Sequence, residues 1–366
     1  GEGESLAIED RPEALPPQQR IWRSRHAGWP AFLAACGDDE KSSDSGSSGS
    51  SSSGLGTLDV QLNWVKNAEY AGTWIADSEG YFTDAGFDKV NFIAGGPGVS
   101  QEELVISGKG LIGLTAPDFT ASAVLEGADL VILGALFQKN PFCFMSLASN
   151  PIPDPEALKG KKVGVQDVNQ PTWQAFLKAN SLDESEMTVV PVQFDPQGLV
   201  TGEVDAWFSF VTNEPNALKA EGIDVEVFLL ADHGYPMVSQ CYFAKKETVE
   251  SKADVLEAYL TADIKGWRES LKDPAKGAAL AANVYGKDLG LKVEAATEES
   301  KSQNELILNE DTKTNGIMTV SDEMVEETIK SLGFAGLDVT ADQIFDLSLI
   351  KKIYADNPDL KADPTT

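Results

Sequence analysis

The chain has 366 residues, 42% of them hydrophobic, with 29 basic against 58 acidic side chains and a formal net charge of −29. That balance excludes a nucleic-acid binder, which needs a basic surface for phosphates, and disfavours electrostatic docking on anionic lipid. Two histidines, three cysteines and no Cys-x-x-Cys or His-x-x-x-His spacing give no reason to expect a metal centre, and no apolar run reaches membrane-spanning length.

Residues 1–56 lack the periodicity of a folded domain. Arg23, Arg25 and His26 precede a mostly apolar stretch over 27–35, which ends in Leu33-Ala34-Ala35-Cys36-Gly37. Basic, then apolar, then small residues is the order of an export signal. Leu-Ala-Ala-Cys-Gly also resembles the bacterial lipoprotein cleavage box, in which Cys36 becomes the lipidated first residue. Residues 42–54 are almost pure Ser and Gly, a tether unable to bury a core. The expectation is an export signal over 1–36, a tether over 37–56, and attachment to the membrane through lipid alone.

Regular structure begins at residue 58. Alternation predicts a strand over 58–64, helical spacing a helix over 70–84 closed by Gly86, and a second strand follows over 89–93. A helix over 100–107, a strand over 111–114, a helix over 118–125 and a strand over 130–137 continue the alternation. The rhythm restarts with a short helix over 155–158 and a strand over 162–165. A helix over 173–180 and strands over 187–191, 206–210 and 225–230 follow, with a helix over 215–220. Beyond 240–244 the pattern is helical, over 253–271, 276–284, 298–308, 321–331 and 347–354. Such βαβα order implies mainly parallel sheets wrapped by helices, with a smaller α/β unit inserted in a larger one.

Several collinear stretches carry a resemblance. They are Leu62-Asn63-Trp64, Asn67-Ala68-Glu69-Tyr70-Ala71-Gly72, Glu79-Gly80-Tyr81-Phe82, Gly95-Gly96-Pro97, Phe137-Gln138-Lys139-Asn140-Pro141-Phe142, Leu158-Lys159-Gly160-Lys161-Lys162-Val163-Gly164-Val165 and Thr212-Asn213-Glu214-Pro215. Together they resemble the periplasmic solute-binding proteins for thiamine-pyrimidine precursors, whose relatives bind riboflavin, sulfonates or nitrate. The resemblance implies an α/β, two-lobed type II periplasmic-binding-protein fold with two hinge crossings, near 146–148 and 240–244. Lobe one would be 57–146 plus 243–354, lobe two 147–242, and 355–366 a tail. It also implies a monomer on the outer face of a bacterial membrane that hands its ligand to an ABC permease with its ATPase subunits, and no cofactor.

Ligands of open α/β sheets sit beyond the carboxyl ends of strands. Trp64, Asn67, Gly95, Gly96, Thr115, Gln138, Asn213 and Glu214 fall at such ends. A flat nitrogen heterocycle wants aromatic faces with a few polar groups at its edge. Trp64, Tyr70 and Trp74 are the aromatic candidates of lobe one, Trp173, Trp207 and Phe210 those of lobe two; each also serves as ordinary core. A carboxylate at Glu214 can accept from an exocyclic amine and a ring N–H together, and the resemblance implies that role; Asn213-Glu214-Pro215 is equally a helix start. The glycines of 95–98 lack phosphate-loop spacing and also suit a bare turn. Cys143 and Cys241 fall at the implied hinge, where a disulfide between them is one expectation and two small buried hydrophobes the other. An enzyme is the rival function, since pyrimidine-synthesising proteins share the fold, but His233 is the single histidine beyond the leader and the cysteines are isolated. Among pyrimidine, flavin, sulfonate and nitrate, the acidic, aromatic segments favour an amine-bearing ring, and Glu214 puts a thiamine pyrimidine precursor ahead of riboflavin as the expected ligand.

Overall fold

Leu58 and Val60 turn inward while Thr57 and Asp59 face out, so β1 (Gly56–Gln61) forms on simple period-two alternation. The architecture is that of a computed structural model describing residues 54–365; the expected export signal, the lipidation of Cys36 and nearly all of the tether lie outside the described residues. The first sheet combines β1 with β2 (Phe87–Ile93), β3 (Ile112–Thr115), β4 (Leu130–Phe137) and β10 (Ser239–Lys245), in the order β2-β1-β3-β10-β4. β2, β1 and β3 run parallel, and β10 runs antiparallel to both of its neighbours. All eight residues of β4 are buried, the continuous apolar run of a strand covered on both faces. Its free edge is closed by segments from late in the chain: Ala135 N–H donates to Met318 O at 3.0 Å, and Asp346 N–H to Ile132 O at 2.9 Å.

The second sheet holds β5 (Phe142–Leu147), β6 (Lys162–Val165), β7 (Thr188–Pro191), β8 (Ala206–Phe210) and β9 (Val225–Leu229), in the order β7-β6-β8-β5-β9. β6 is parallel to β7 and β8, and β5 is the reversed strand. Both sheets are therefore mainly parallel with one antiparallel member, and helices flank them, which is the predicted fold class. β5 is a strand that the alternation did not mark. Ser146 and Leu147 pair with Glu226 and Val225 inside it, and Gln240 to Ala244 belong to β10. The chain thus changes sheets between Phe137 and Phe142 and again between Leu229 and Ser239, instead of near 146–148 and 240–244.

The expected disulfide is absent. Cys143 and Cys241 are both free and fully buried, the other of the two expectations, and β5 and β10, which carry them, belong to different sheets.

The helix predicted over 70–84 is broken into a 3-10 turn (Ala68–Tyr70) and helices Ala71–Ser78 and Tyr81–Asp84, with Gly80 at φ 78° between the last two. The Ala71–Ser78 helix lies against the long Ala253–Lys272 helix at two glycines. A Cβ on Gly266 would meet Gly72 O at 2.1 Å, and one on Gly72 would meet the Trp267 ring at 2.2 Å. This close approach seats Trp267, fully buried, in the core of the first sheet.

Candidate functional site

β1 ends and the chain turns through Asn63 and Trp64 before the 3-10 turn that carries Glu69. β8 ends at Phe210, and the chain turns through Asn213 into the helix Glu214–Ala220. These two turns come from different sheets and face one cleft. Asn63, Trp64, Glu69, Gln101, Ala116 and Phe119 line it from the first side; Phe142, Val168, Asn169, Phe208, Ser209, Phe210, Asn213 and Glu214 line it from the second. The cleft is narrow and encloses about 480 Å³ including its open mouth. Its walls touch elsewhere: Val168 N–H donates to Pro97 O at 2.7 Å, and Asn216 Nδ2 to Ser302 Oγ at 3.1 Å.

The first wall is a hydrogen-bond relay. Trp64 N–H donates to Tyr70 OH at 2.7 Å, and Tyr70 OH donates to Asn63 Oδ1 at 2.8 Å. Asn63 Nδ2 then donates to Glu69 Oε1 at 3.1 Å and to Gln240 Oε1 at 3.0 Å. Gln240 has φ 48° in a non-glycine residue, a costly conformation kept where it aims an amide at the site. Burial pushes the Glu69 carboxyl up to about 8; Asn63 opposes that, the Glu214 charge adds to it, and Gln240 opposes it.

On the second wall, Glu214 Oε2 accepts from Ser209 Oγ at 2.7 Å and from Phe210 N–H at 3.1 Å. Burial raises its carboxyl to about 7, the bond from Ser209 being the largest opposing influence. Glu299, on the helix Val293–Ile307, stands behind both. It is raised well above the usual carboxylate range by burial, then by Glu69 and Glu214, and its Oε1 has no hydrogen-bond partner. Three buried carboxyls thus share one region, and no Lys, Arg or His lines the cleft. Such a cluster holds protons or awaits a cationic, hydrogen-donating guest, because ionised carboxylates in a desolvated site repel one another. The aromatic walls include Trp64, Phe119 and the pair Phe142–Phe210, whose ring centroids lie 4.6 Å apart nearly edge to face. The lining includes no cysteine or histidine, so Ser209 beside Glu214 has no base of the triad type.

Of the residues expected at a ligand, the cleft brings together Trp64, Phe210, Asn213 and Glu214. The others stand behind it or away from it. Tyr70 and Asn67 brace the first wall: Asn67 Oδ1 accepts from Glu69 N–H at 3.1 Å and its carbonyl from Trp74 Nε1 at 2.7 Å. Trp74 is core, stacked on Tyr285 at 4.2 Å. Gly95 is there for closeness, since a Cβ would meet the carbonyl carbon of Asn63 at 2.5 Å, and its N–H donates to Trp64 O at 2.9 Å; Gly96 follows outside the cleft. Thr115 gives its hydroxyl proton to Glu102, and Gln138 Nε2 ties Ala135 O and Thr319 O together. Trp173 and Trp207 are buried in the second unit, Trp173 Nε1 donating to Glu184 at 2.9 Å. Glu69 and Gln101 were missed as site residues. Glu69 lies in the Asn67–Gly72 stretch that carries the family resemblance, an acid between Ala68 and Tyr70, whereas Gln101 offers only its place after the helix-capping Ser100.

The NMT1/THI5-like family profile matches residues 67–277. A formylaminopyrimidine-binding protein of Halalkalibacterium halodurans is 26% identical over 248 residues, 66% of this chain and 72% of that protein. The riboflavin-binding protein RibY of Chloroflexus aurantiacus is 20% identical over 225 residues, 60% of this chain and 64% of RibY. Among solved structures, the ligand-binding component of an ABC-type import system from Staphylococcus aureus superposes with a TM-score of 0.60 at 10% identity, covering 82% of this chain and 99% of that one. With the profile spanning more than half of the sequence, the chain belongs to the NMT1/THI5-like family.

Proposed function

We propose that the chain is the extracytoplasmic solute-binding component of an ABC-type importer, tethered by lipid on Cys36, which captures a small amine-bearing nitrogen heterocycle. A thiamine pyrimidine precursor is the first candidate. The observation that carries this reading is one cleft holding two buried carboxyls, Glu69 and Glu214, beside aromatic faces and no basic residue. A sulfonate or nitrate needs a positive counter-charge, which this lining of two buried carboxyls with no Lys, Arg or His does not supply. An aminated ring matches it: exocyclic N–H groups reach the carboxylates, and the ring packs against Trp64, Phe119 and Phe210. The similarity to a formylaminopyrimidine-binding protein supports the same choice, and the riboflavin-binding relative makes flavin the second ligand to test. The ligand-laden protein, a monomer, would then meet a permease served by ATPase subunits.

A thermal-shift panel on the full chain with aminopyrimidines, thiamine, riboflavin, taurine and nitrate tests this. A ligand of the folded state adds about 2.7 kcal/mol at a hundredfold excess over Kd. Stabilisation by an aminopyrimidine, lost in Glu214→Gln, is the expected result. Stabilisation by taurine or nitrate instead would overturn the ligand class.

A further inference from the structure

The cleft shares part of its lining with a neighbouring space. Gln101, Phe119 and Val168 line both the cleft and a wider groove running between the helices Gln101–Ile106 and Pro117–Leu125 and the 167–171 segment. The groove encloses about 1060 Å³ including its open mouth, more than the cleft itself. Glu102, Glu103, Glu126 and Asp167 contribute carboxyls to its lining, which holds no Lys, Arg or His. Glu103, Glu126 and Asp167 are exposed and take part in no ion pair among the described residues. Acidic side chains are common on a chain of this charge and alone would signify little.

Gln101 adds the independent observation. It is 2% exposed, it borders both spaces, and its Oε1 has no hydrogen-bond partner. A buried acceptor left unmatched at the junction of two cavities calls for a donor arriving through that junction. Ala123, Ile106 and Pro171 supply an apolar floor along the groove, which suits a methylene chain that ends in a charge.

We propose that the natural ligand is a ring with a cationic arm. The aminated ring sits at Trp64 and Glu214, and an extended substituent, joined to the ring through an N–H that donates to Gln101 Oε1, passes Phe119 into the acidic groove, where a protonated amine meets Glu103, Glu126 and Asp167. The inference rests on the reading of the cleft given above.

Calorimetric titration of the full chain with three probes separates the two: 2,4-diaminopyrimidine, its 5-(4-aminobutylamino) derivative, and its 5-pentylamino derivative, which has an arm of the same length and the same linking N–H without the charge. The aminobutylamino probe is expected to bind about tenfold more tightly than the pentylamino probe, the order of a few partly exposed charge contacts. In the triple variant E103Q/E126Q/D167N that ratio should fall to about one. Equal affinities of the two arm-bearing probes for the unaltered chain overturn the cationic arm, as does a ratio that persists in the variant. Bare-ring binding without any gain from the amine therefore sinks the arm and leaves the ring site standing. Failure of all three probes to bind overturns the ring site and the arm together.

Discussion

Glu69 sits two residues past Asn67, whose side chain caps the turn that buries it, so the backbone holds the carboxyl away from water without supplying a cation. Its folded-state value of about 8 and that of Glu214 at about 7 both lie above those of an unfolded chain. The folded form then binds protons more tightly than the unfolded form. This contribution to stability is full below about pH 4.3 and is lost as pH rises through 7 to 8. The ligand-free protein is therefore expected to lose stability, on the order of a few kcal/mol, between pH 5 and pH 8.5. In Glu69→Gln that slope should flatten. Urea denaturation at both pH values checks it; an unaltered slope in the variant would mean that Glu69 is not among its sources. Affinity for a protonated amine runs the other way and should strengthen between pH 6 and pH 8, as long as the amine keeps its proton. The legibility of these residues was uneven. Glu214 stood out because Asn-Glu-Pro after a buried strand has a local meaning. The depth of Glu69 depends on Asn63, Gln240 and the Val293–Ile307 helix, and Gln240 comes from a strand 177 residues beyond Asn63.

At the scale of elements, β4, β6 and β8 have the predicted bounds because each is an apolar run set off by polar turns. β5 escaped notice: it is reversed in its sheet, and its partners β8 and β9 follow some 60 to 80 residues later. The helix predicted over 276–284 is in fact Pro274–Leu280 followed by a π turn over Ala281–Tyr285. That turn sets Tyr285 flat on Trp74, a contact that no local pattern foretells. The glycine crossing of the Ala71–Ser78 and Ala253–Lys272 helices matters to the site because the first helix continues directly from the turn bearing Glu69. Gly266→Ala forces the two backbones apart and should cost about 1–3 kcal/mol, the range for overpacking a tight contact. It should also weaken ligand binding by displacing Glu69. Chemical denaturation and a titration read the two effects; a variant with unchanged stability would show that the helices slide freely.

For the molecule as a whole, the fold class was legible because two successive βαβ rhythms can hardly fold otherwise, and the family resemblance extended the order of the elements into two sheets. The changes of sheet were less legible, by several residues each, because strand ends are decided by pairing across the molecule. Among the described residues the chain passes between the sheets at two places, through 138–141 and through 230–238. Relative movement of the two walls of the cleft would be concentrated in those connections, while the contacts of Val168 with Pro97 and of Asn216 with Ser302 hold the walls together.

The two free cysteines turn this division into something that can be timed. Each sheet carries one thiol on an interior strand, wholly shielded, with burial raising its pKa, so that it stays unreactive until its strand is uncovered. A thiol-reactive dye added to the folded protein is therefore a pair of built-in clocks, one reporting when the first sheet comes apart and the other when the second does. Mass spectrometry of peptides taken during slow denaturation should find Cys143 and Cys241 labelled in step if the molecule unfolds as a unit. If one residue is labelled well ahead of the other, its sheet is the weaker half. Folding also needs no oxidant for these two residues, so the chain can be prepared under reducing conditions, and peptide masses separate their labelling from that of Cys36.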